Sequence, residues 1–213
     1  LYAQEDITAA DGSVIPADGL LEIVSVNENG QAVCSTDLPF GSFYLKELST
    51  DSHYLLNGKT FPFTFEYGGP SVAVVEISAN DGEAVTNELI RGEIKGLKTD
   101  ENGTGLGGAV IGLFKSDETE FTAENALATA TSAEDGSFSF ADVPFGDWVL
   151  KELESPAGFI LSDEVIPVTV EEDGQVVEIS LANERIYGNL RLTKVDKDYP
   201  DNKLTGAEFE VYR

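Results

Sequence analysis

The stretch VPFGDWVLKEL, Val143 to Leu153, recurs almost letter for letter as LPFGSFYLKEL, Leu38 to Leu48. An internal copy of this length marks a repeat architecture. Read with a period of two, the second half of each copy sets Trp148, Leu150 and Glu152, or Phe43, Leu45 and Glu47, on one face of a strand. An apolar row thus ends in a carboxylate. A lone buried carboxylate is costly, so the position calls for a residue that is neutral, paired, or in contact with a group that uses it.

Working outward, LLEIVSV (Leu20 to Val26), the turn NENG (Asn27 to Gly30) and QAVCS (Gln31 to Ser35) read as strand, turn and strand. FPFTFEY (Phe61 to Tyr67) and VAVVEIS (Val72 to Ser78) read as two more strands. The pattern restarts at GEIKGLKTDENG (Gly92 to Gly103), and GAVIGLFKSD (Gly108 to Asp117) matches the LYAQED at the head of the chain. Residues Thr119 to Ala126 read as a loop or a single helical turn, after which the Asp135-Gly136 turn and SFSFADVPFG repeat the earlier hairpin. Gly92 and Gly188, Asn87 and Asn183, and Lys98 and Lys194 are each 96 positions apart. The expected organisation is a repeat lacking its first strand over 1–90, a complete repeat over 91–187, and the first strands of a third over 188–213. A unit of this length built from short alternating strands predicts an all-β fold of tandem immunoglobulin-like or prealbumin-like sandwiches.

Composition narrows the function. With 39 acidic and 13 basic residues the net charge is −26, which speaks against nucleic-acid and anionic-membrane partners. No apolar run approaches a membrane span, and the first residues lack the regions of a secretion signal, so the chain reads as processed or as a fragment. Cys34 is the single cysteine; it excludes an intramolecular disulfide and is expected to fill a small space in a core. His53 is the single histidine, which nearly excludes a Ser-His-Asp or Cys-His site, excludes zinc held by His and Cys clusters, and is expected in a surface loop. Gly103, Gly105 and Gly108 have dinucleotide-loop spacing but precede the strand AVIGLF instead of a helix. Asp100 to Gly103 and Asp196 to Asp198 read as turns, because they lack a calcium-ligand series. Neither a metal nor a cofactor is expected.

Three polar residues fall on apolar faces. Ile94, Gly96 and Lys98 share one, as do Leu190, Leu192 and Lys194 in the following unit; Val177, Ile179, Leu181 and Asn183 share another. Lys98, Glu152 and Asn183 thus come from three strands and point towards one core. Periodicity alone allows them to meet without requiring it, and an ordinary buried ion pair beside a hydrogen-bonded asparagine is one outcome.

Lys-x-Asp near the first strand, the Gly-Ala strand of Gly108 to Asp117, Phe-Gly followed by Leu-Lys-Glu, Pro-Ala-Gly-Phe at 156–159 and a closing Asn-Glu together resemble the collagen-adhesin B-type, or pilin-type, repeats of Gram-positive surface proteins. The resemblance covers the whole chain. It implies an intramolecular isopeptide bond between Lys98 and Asn183, with Glu152 assisting, in a cell-wall-anchored extracellular protein whose repeats act as a stalk and not as an enzyme. The chemistry is consistent with burial, which favours neutral amines and neutral carboxylic acids. In this expectation a protonated Glu152 polarises the Asn183 carbonyl and relays a proton from the attacking amine to departing ammonia.

Neighbouring repeats are the expected partners. A second reading is a binding module whose exposed loops recognise a host protein or glycan. The first unit has Glu47 and Asn87 without a lysine, and residues 188–213 bring Lys194 without the other two. One expectation is therefore head-to-tail insertion of that segment into another molecule, bonding Lys194 to Asn87 with Glu47 as helper; the other is a longer multi-repeat protein cut at an arbitrary point.

Overall fold

The strand that organises the fold is the one carrying Lys98, because it is the only one in its sheet with a neighbour on both sides. A computed structural model describes residues 1–8 and 11–212. Over residues 1–90 the described strands are β1 (Tyr2–Ala3), β2 (Ile7–Thr8), β3 (Val14–Ile15), β4 (Gly41–Lys46) and β5 (Thr60–Phe65). From residue 91 onwards they are β6 (Arg91–Asp100), β7 (Val110–Lys115), β8 (Ala128–Thr131), β9 (Ser137–Pro144), β10 (Gly146–Glu154), β11 (Val165–Val170) and β12 (Val176–Asn183). The helix described is a single 3-10 turn at Asn80–Gly82, and no described helix is long and apolar enough to cross a membrane.

Strands β6 to β12 form two facing sheets, ordered β11-β10-β7-β8 and β12-β6-β9. In the second sheet β6 pairs antiparallel with β9 and parallel with β12, so the first and last strands of the unit lie side by side and run the same way. The alternation expected for β6 is observed: Gly92, Ile94, Gly96 and Lys98 are buried, whereas Arg91, Lys95 and Leu97 are exposed. Ile94, Ile111, Leu113, Phe138, Phe140, Trp148, Leu150 and Leu181 fill the space between the sheets. This is the two-layer solution available to sheets with one apolar face each. Residues 119–126 form a loop, and its Phe121 meets Phe114 edge-on at 5.0 Å, covering the outer face of β7.

Residues 1–90 repeat only one of the two sheets, β1-β4-β5. The strands expected at 20–26, 31–35 and 72–78 are not formed, although the Asn27 to Gly30 turn between the first two is present. The segment 20–26 corresponds to β8, which pairs with β7, and here Leu20 bridges Tyr2 of β1. For 31–35 and 72–78 the reason is a missing partner: they correspond in sequence to β9 and β12, which both hydrogen-bond to β6, and no counterpart of β6 lies among the described residues of 1–90. Cys34 is consequently exposed, not a core filler. Residues 188–212 contain no strand but form a hairpin turn in which Leu204 N–H donates to the Lys194 carbonyl at 2.9 Å; Leu106 N–H donates to the Lys98 carbonyl at the same distance.

Gly96 is required by close approach. It lies opposite Phe138 in the β6–β9 register, and a Cβ at this position would fall 2.0 Å from the Phe138 ring. Overpacking of this kind costs about 1–3 kcal/mol. Gly96→Ala should therefore lower the urea midpoint with little change in slope, and Phe138→Val in the same chain should restore much of the loss.

Candidate functional site

Each of the three inward polar residues is placed by its strand. Lys98 sits near the end of β6 opposite Leu181, and Asn183 ends β12 opposite Asp100. The two are therefore diagonal neighbours on the inner face of one sheet. Glu152 reaches them from β10 in the other sheet, after the apolar row of Trp148 and Leu150. Lys98, Glu152 and Asn183 are 0%, 1% and 2% exposed, so what meets here is sealed from solvent.

The two carboxylate oxygens of Glu152 are divided between two nitrogens. Oε1 lies 3.2 Å from Lys98 Nζ. Oε2 accepts from Asn183 Nδ2 at 2.8 Å and from the Ser162 backbone N–H at 2.8 Å. Asn183 Nδ2 also donates to the Ile160 carbonyl at 2.7 Å. Because a carbonyl can only accept, Ile160 fixes which end of the carboxamide faces the loop. The Lys98–Glu152 approach lacks hydrogen-bond geometry, so Nζ, Oε1 and Asn183 Oδ1 are buried without a hydrogen-bond partner among the described residues.

Glu152 touches the nitrogen of the Asn183 carboxamide and not the carbonyl oxygen that the sequence reading has it polarise. Burial pushes the Lys98 ammonium down from the ordinary lysine range, while the charges of Glu152 and, more weakly, Glu164 hold it up. The net direction is towards the neutral, nucleophilic amine.

Ile160 and Ser162 act through main-chain atoms, and side-chain patterning does not mark them. The nearest sequence signal is Pro-Ala-Gly-Phe. Gly158 adopts φ +92°, and the chain after it pairs with the residues following Asn183. Ile160 N–H donates to Glu184 O and Ile186 N–H to Gly158 O, both at 2.8 Å, while the Arg185 guanidinium lies 4.9 Å from the centre of the Phe159 ring.

The same wiring is present in the first unit. Asn87 Nδ2 donates to Glu47 Oε2 at 2.8 Å and to Leu55 O at 2.9 Å, and Asn57 N–H donates to Glu47 Oε2 at 2.6 Å. Leu55 N–H donates to Glu88 O and Ile90 N–H to His53 O, as in the complete unit. His53 is exposed in this loop, as expected, and its ring lies against Phe145 at 4.4 Å. Lys194, by contrast, is exposed and is not brought to Glu47 and Asn87.

Residues 92–185 match the family model of the SpaA prealbumin-like fold domain. This unit is a SpaA-type prealbumin-like domain. The family is one of structural domains and not of enzymes. A structure of the Bacillus anthracis TIE protein superposes on 85% of this chain and 34% of that one with a TM-score of 0.59 at 19% identity. The present chain thus spans about a third of that protein's structure. BcpA, the major pilin subunit of Bacillus cereus, matches over 60% of this chain and 37% of that one (TM-score 0.43, 18% identity). GBS52, the minor pilin of Streptococcus agalactiae, matches over 80% and 71% (TM-score 0.41, 18% identity). No curated protein matches the chain at the level of sequence.

A depressed lysine has a pH signature wherever its amine stays free. In Asn183→Ala the Lys98 amine has no carboxamide to attack. Below its folded pKa the protonated form is disfavoured by burial; between the folded pKa and the ordinary lysine value the unfolded chain binds more protons than the folded one. The unfolding free energy of Asn183→Ala should therefore rise with pH across that window, as measured by urea titrations at a series of pH values. A flat or falling profile would contradict the assigned direction.

Proposed function

We propose that residues 91–187 are a load-bearing spacer unit of an extracellular, cell-wall-anchored pilin-like or adhesin protein, locked by an amide bond that Lys98 and Asn183 form once during maturation. The observation that carries this reading is the sealed contact of Glu152 with both reacting nitrogens. The match to a SpaA-type domain and the pilin structures of related fold support the cellular setting.

The reaction balances within the site. Lys98 Nζ attacks Asn183 Cγ, Glu152 Oε1 takes the proton that the amine must lose, and Oε2 is already on the nitrogen that must gain one. The N–Cγ bond of the new amide forms, the Cγ–Nδ2 bond breaks, and ammonia leaves. Exclusion of water favours attack by the amine over hydrolysis of the carboxamide.

The bond closes a loop of about 85 residues, and the loop-entropy relation used for disulfides gives about 4–5 kcal/mol of stabilisation by analogy. It also ties the first strand to the last. Glu93 to Asp100 pair in parallel with Val176 to Asn183, so tension applied across the unit runs along β6, through the bond, and out after Asn183.

Intact mass under denaturing conditions tests the proposal. The wild-type chain should be lighter than its sequence by one ammonia, and Glu152→Ala, Lys98→Ala and Asn183→Ala should each show the full sequence mass. A folded wild-type chain with its full mass would reduce the three residues to a buried polar cluster.

A further inference from the structure

Lys151 and Glu152 are neighbours on β10 and leave it on opposite sides, yet both reach the same residue. Glu152 Oε2 accepts the Ser162 backbone N–H at 2.8 Å, and Lys151 Nζ donates to the Ser162 carbonyl at 3.2 Å. Consecutive residues of one strand thus grip Ser162 by both ends of its backbone. The Lys-Glu pair recurs at Lys46 and Glu47, and the reaction at Glu152 leaves the lysine of the pair without a role.

What Lys151 holds is a segment that little else holds. Residues 155–164 join β10 to β11, and within them Leu161, Asp163 and Glu164 are exposed, so burial does not fix the second half of the loop. The first half is anchored: Phe159 N–H donates to Pro156 O at 3.1 Å and Ile160 N–H to Glu184 O at 2.8 Å. For residues 161–164, the bonds with Lys151 and Glu152 are the only ones that reach outside the loop among the described residues. The remaining one, from Glu164 N–H to Ser162 Oγ at 3.3 Å, is internal.

The first unit fastens the same place differently. Asn57 stands where the complete unit has Ser162, with its N–H on Glu47 Oε2, and its own Nδ2 donates to Thr86 O at 3.0 Å. That side chain ties the loop to the residue before Asn87, and Lys46 is exposed. Ser162 has no carboxamide to span the gap, and its hydroxyl is taken by Glu164 N–H. The anchor has moved from the loop residue to the strand lysine.

We propose that Lys151 is a positioning residue for the Lys98–Asn183 bond, holding Ser162 so that its N–H stays on Glu152 Oε2. This rests on the reaction proposed for Lys98, Glu152 and Asn183. Oε2 has two donors, Ser162 N–H and Asn183 Nδ2, and together they set the carboxylate plane that presents Oε1 to Lys98 Nζ at 3.2 Å. With Ser162 released, the Asn183 nitrogen alone holds the carboxylate, and Oε1 can turn away from the amine. In an oriented reaction a misplacement of about 1 Å costs on the order of 100-fold in rate.

Two measurements on the full chain test it. The first follows ammonia loss by intact mass at successive times after cell-free synthesis at low temperature. Lys151→Met, which keeps the aliphatic stem, should slow the loss by about tenfold or more, and Lys151→Arg, which keeps a donor, should recover most of the rate. The second measurement is independent of the reaction. In Asn183→Ala, where no bond forms, adding Lys151→Met should speed hydrogen exchange of the Ser162 amide by about tenfold and leave the Leu113 and Leu150 amides of the core unchanged, which also shows that the variant is folded. A Lys151→Met chain bonded as fully as wild type at every time, a Lys151→Arg chain as slow as Lys151→Met, or an unchanged Ser162 amide would each overturn the proposal. A wild type that never loses ammonia removes the bond and the positioning role with it, whereas equal loss in wild type and Lys151→Met removes the positioning role alone.

Discussion

An amine and a carboxylate 3.2 Å apart, neither of them exposed, form the contact around which residues 91–187 are arranged. Burying two ionised groups is expensive, and their attraction compensates only where the remaining polar atoms are satisfied. Here Glu152 Oε2 is satisfied twice and Oε1 is not. The imbalance is intelligible if the contact is the reactant side of a reaction. Conversion of the amine and carboxamide into an amide, as proposed, would remove the buried lysine charge and leave a neutral group in its place.

The topology would give the proposed bond mechanical consequence. A bond between two adjacent loops would staple the surface and leave the termini free to peel. Lys98 and Asn183 lie on the first and last strands, which run parallel and side by side. Pulling on the ends loads those strands along their length, and a link between them shields everything folded between positions 98 and 183. The strand that supplies the lysine also creates the second sheet: β9 and β12 pair with β6, and in residues 1–90, where no such strand is described, the corresponding segments form no sheet.

Much of the site was legible from a period of two. Lys98, Glu152 and Asn183 each ended an apolar row, and all three meet. The strand alternation of β6, β10 and β12 and the two-sheet fold were readable for the same reason, since one buried face imposes its register on every residue of a strand. The failures were of another kind. Ile160 and Ser162 work through backbone atoms that any residue possesses. Which end of the Asn183 carboxamide meets Glu152 depends on that backbone. Cys34 and the strands expected around it were misread because alternation reports what a strand could bury, not whether a neighbouring strand is there to cover it.

Single-molecule pulling across the unit, with handles placed before Gly92 and after Arg185, tests the load-bearing account most directly. The account predicts that the wild-type unit stays short until the tether breaks, whereas Glu152→Ala extends in a step of about 300 Å, the reach of the roughly 85 residues between Lys98 and Asn183. The same step in the wild type, at the force seen for the variant, would show that tension travels through the fold and would contradict the account.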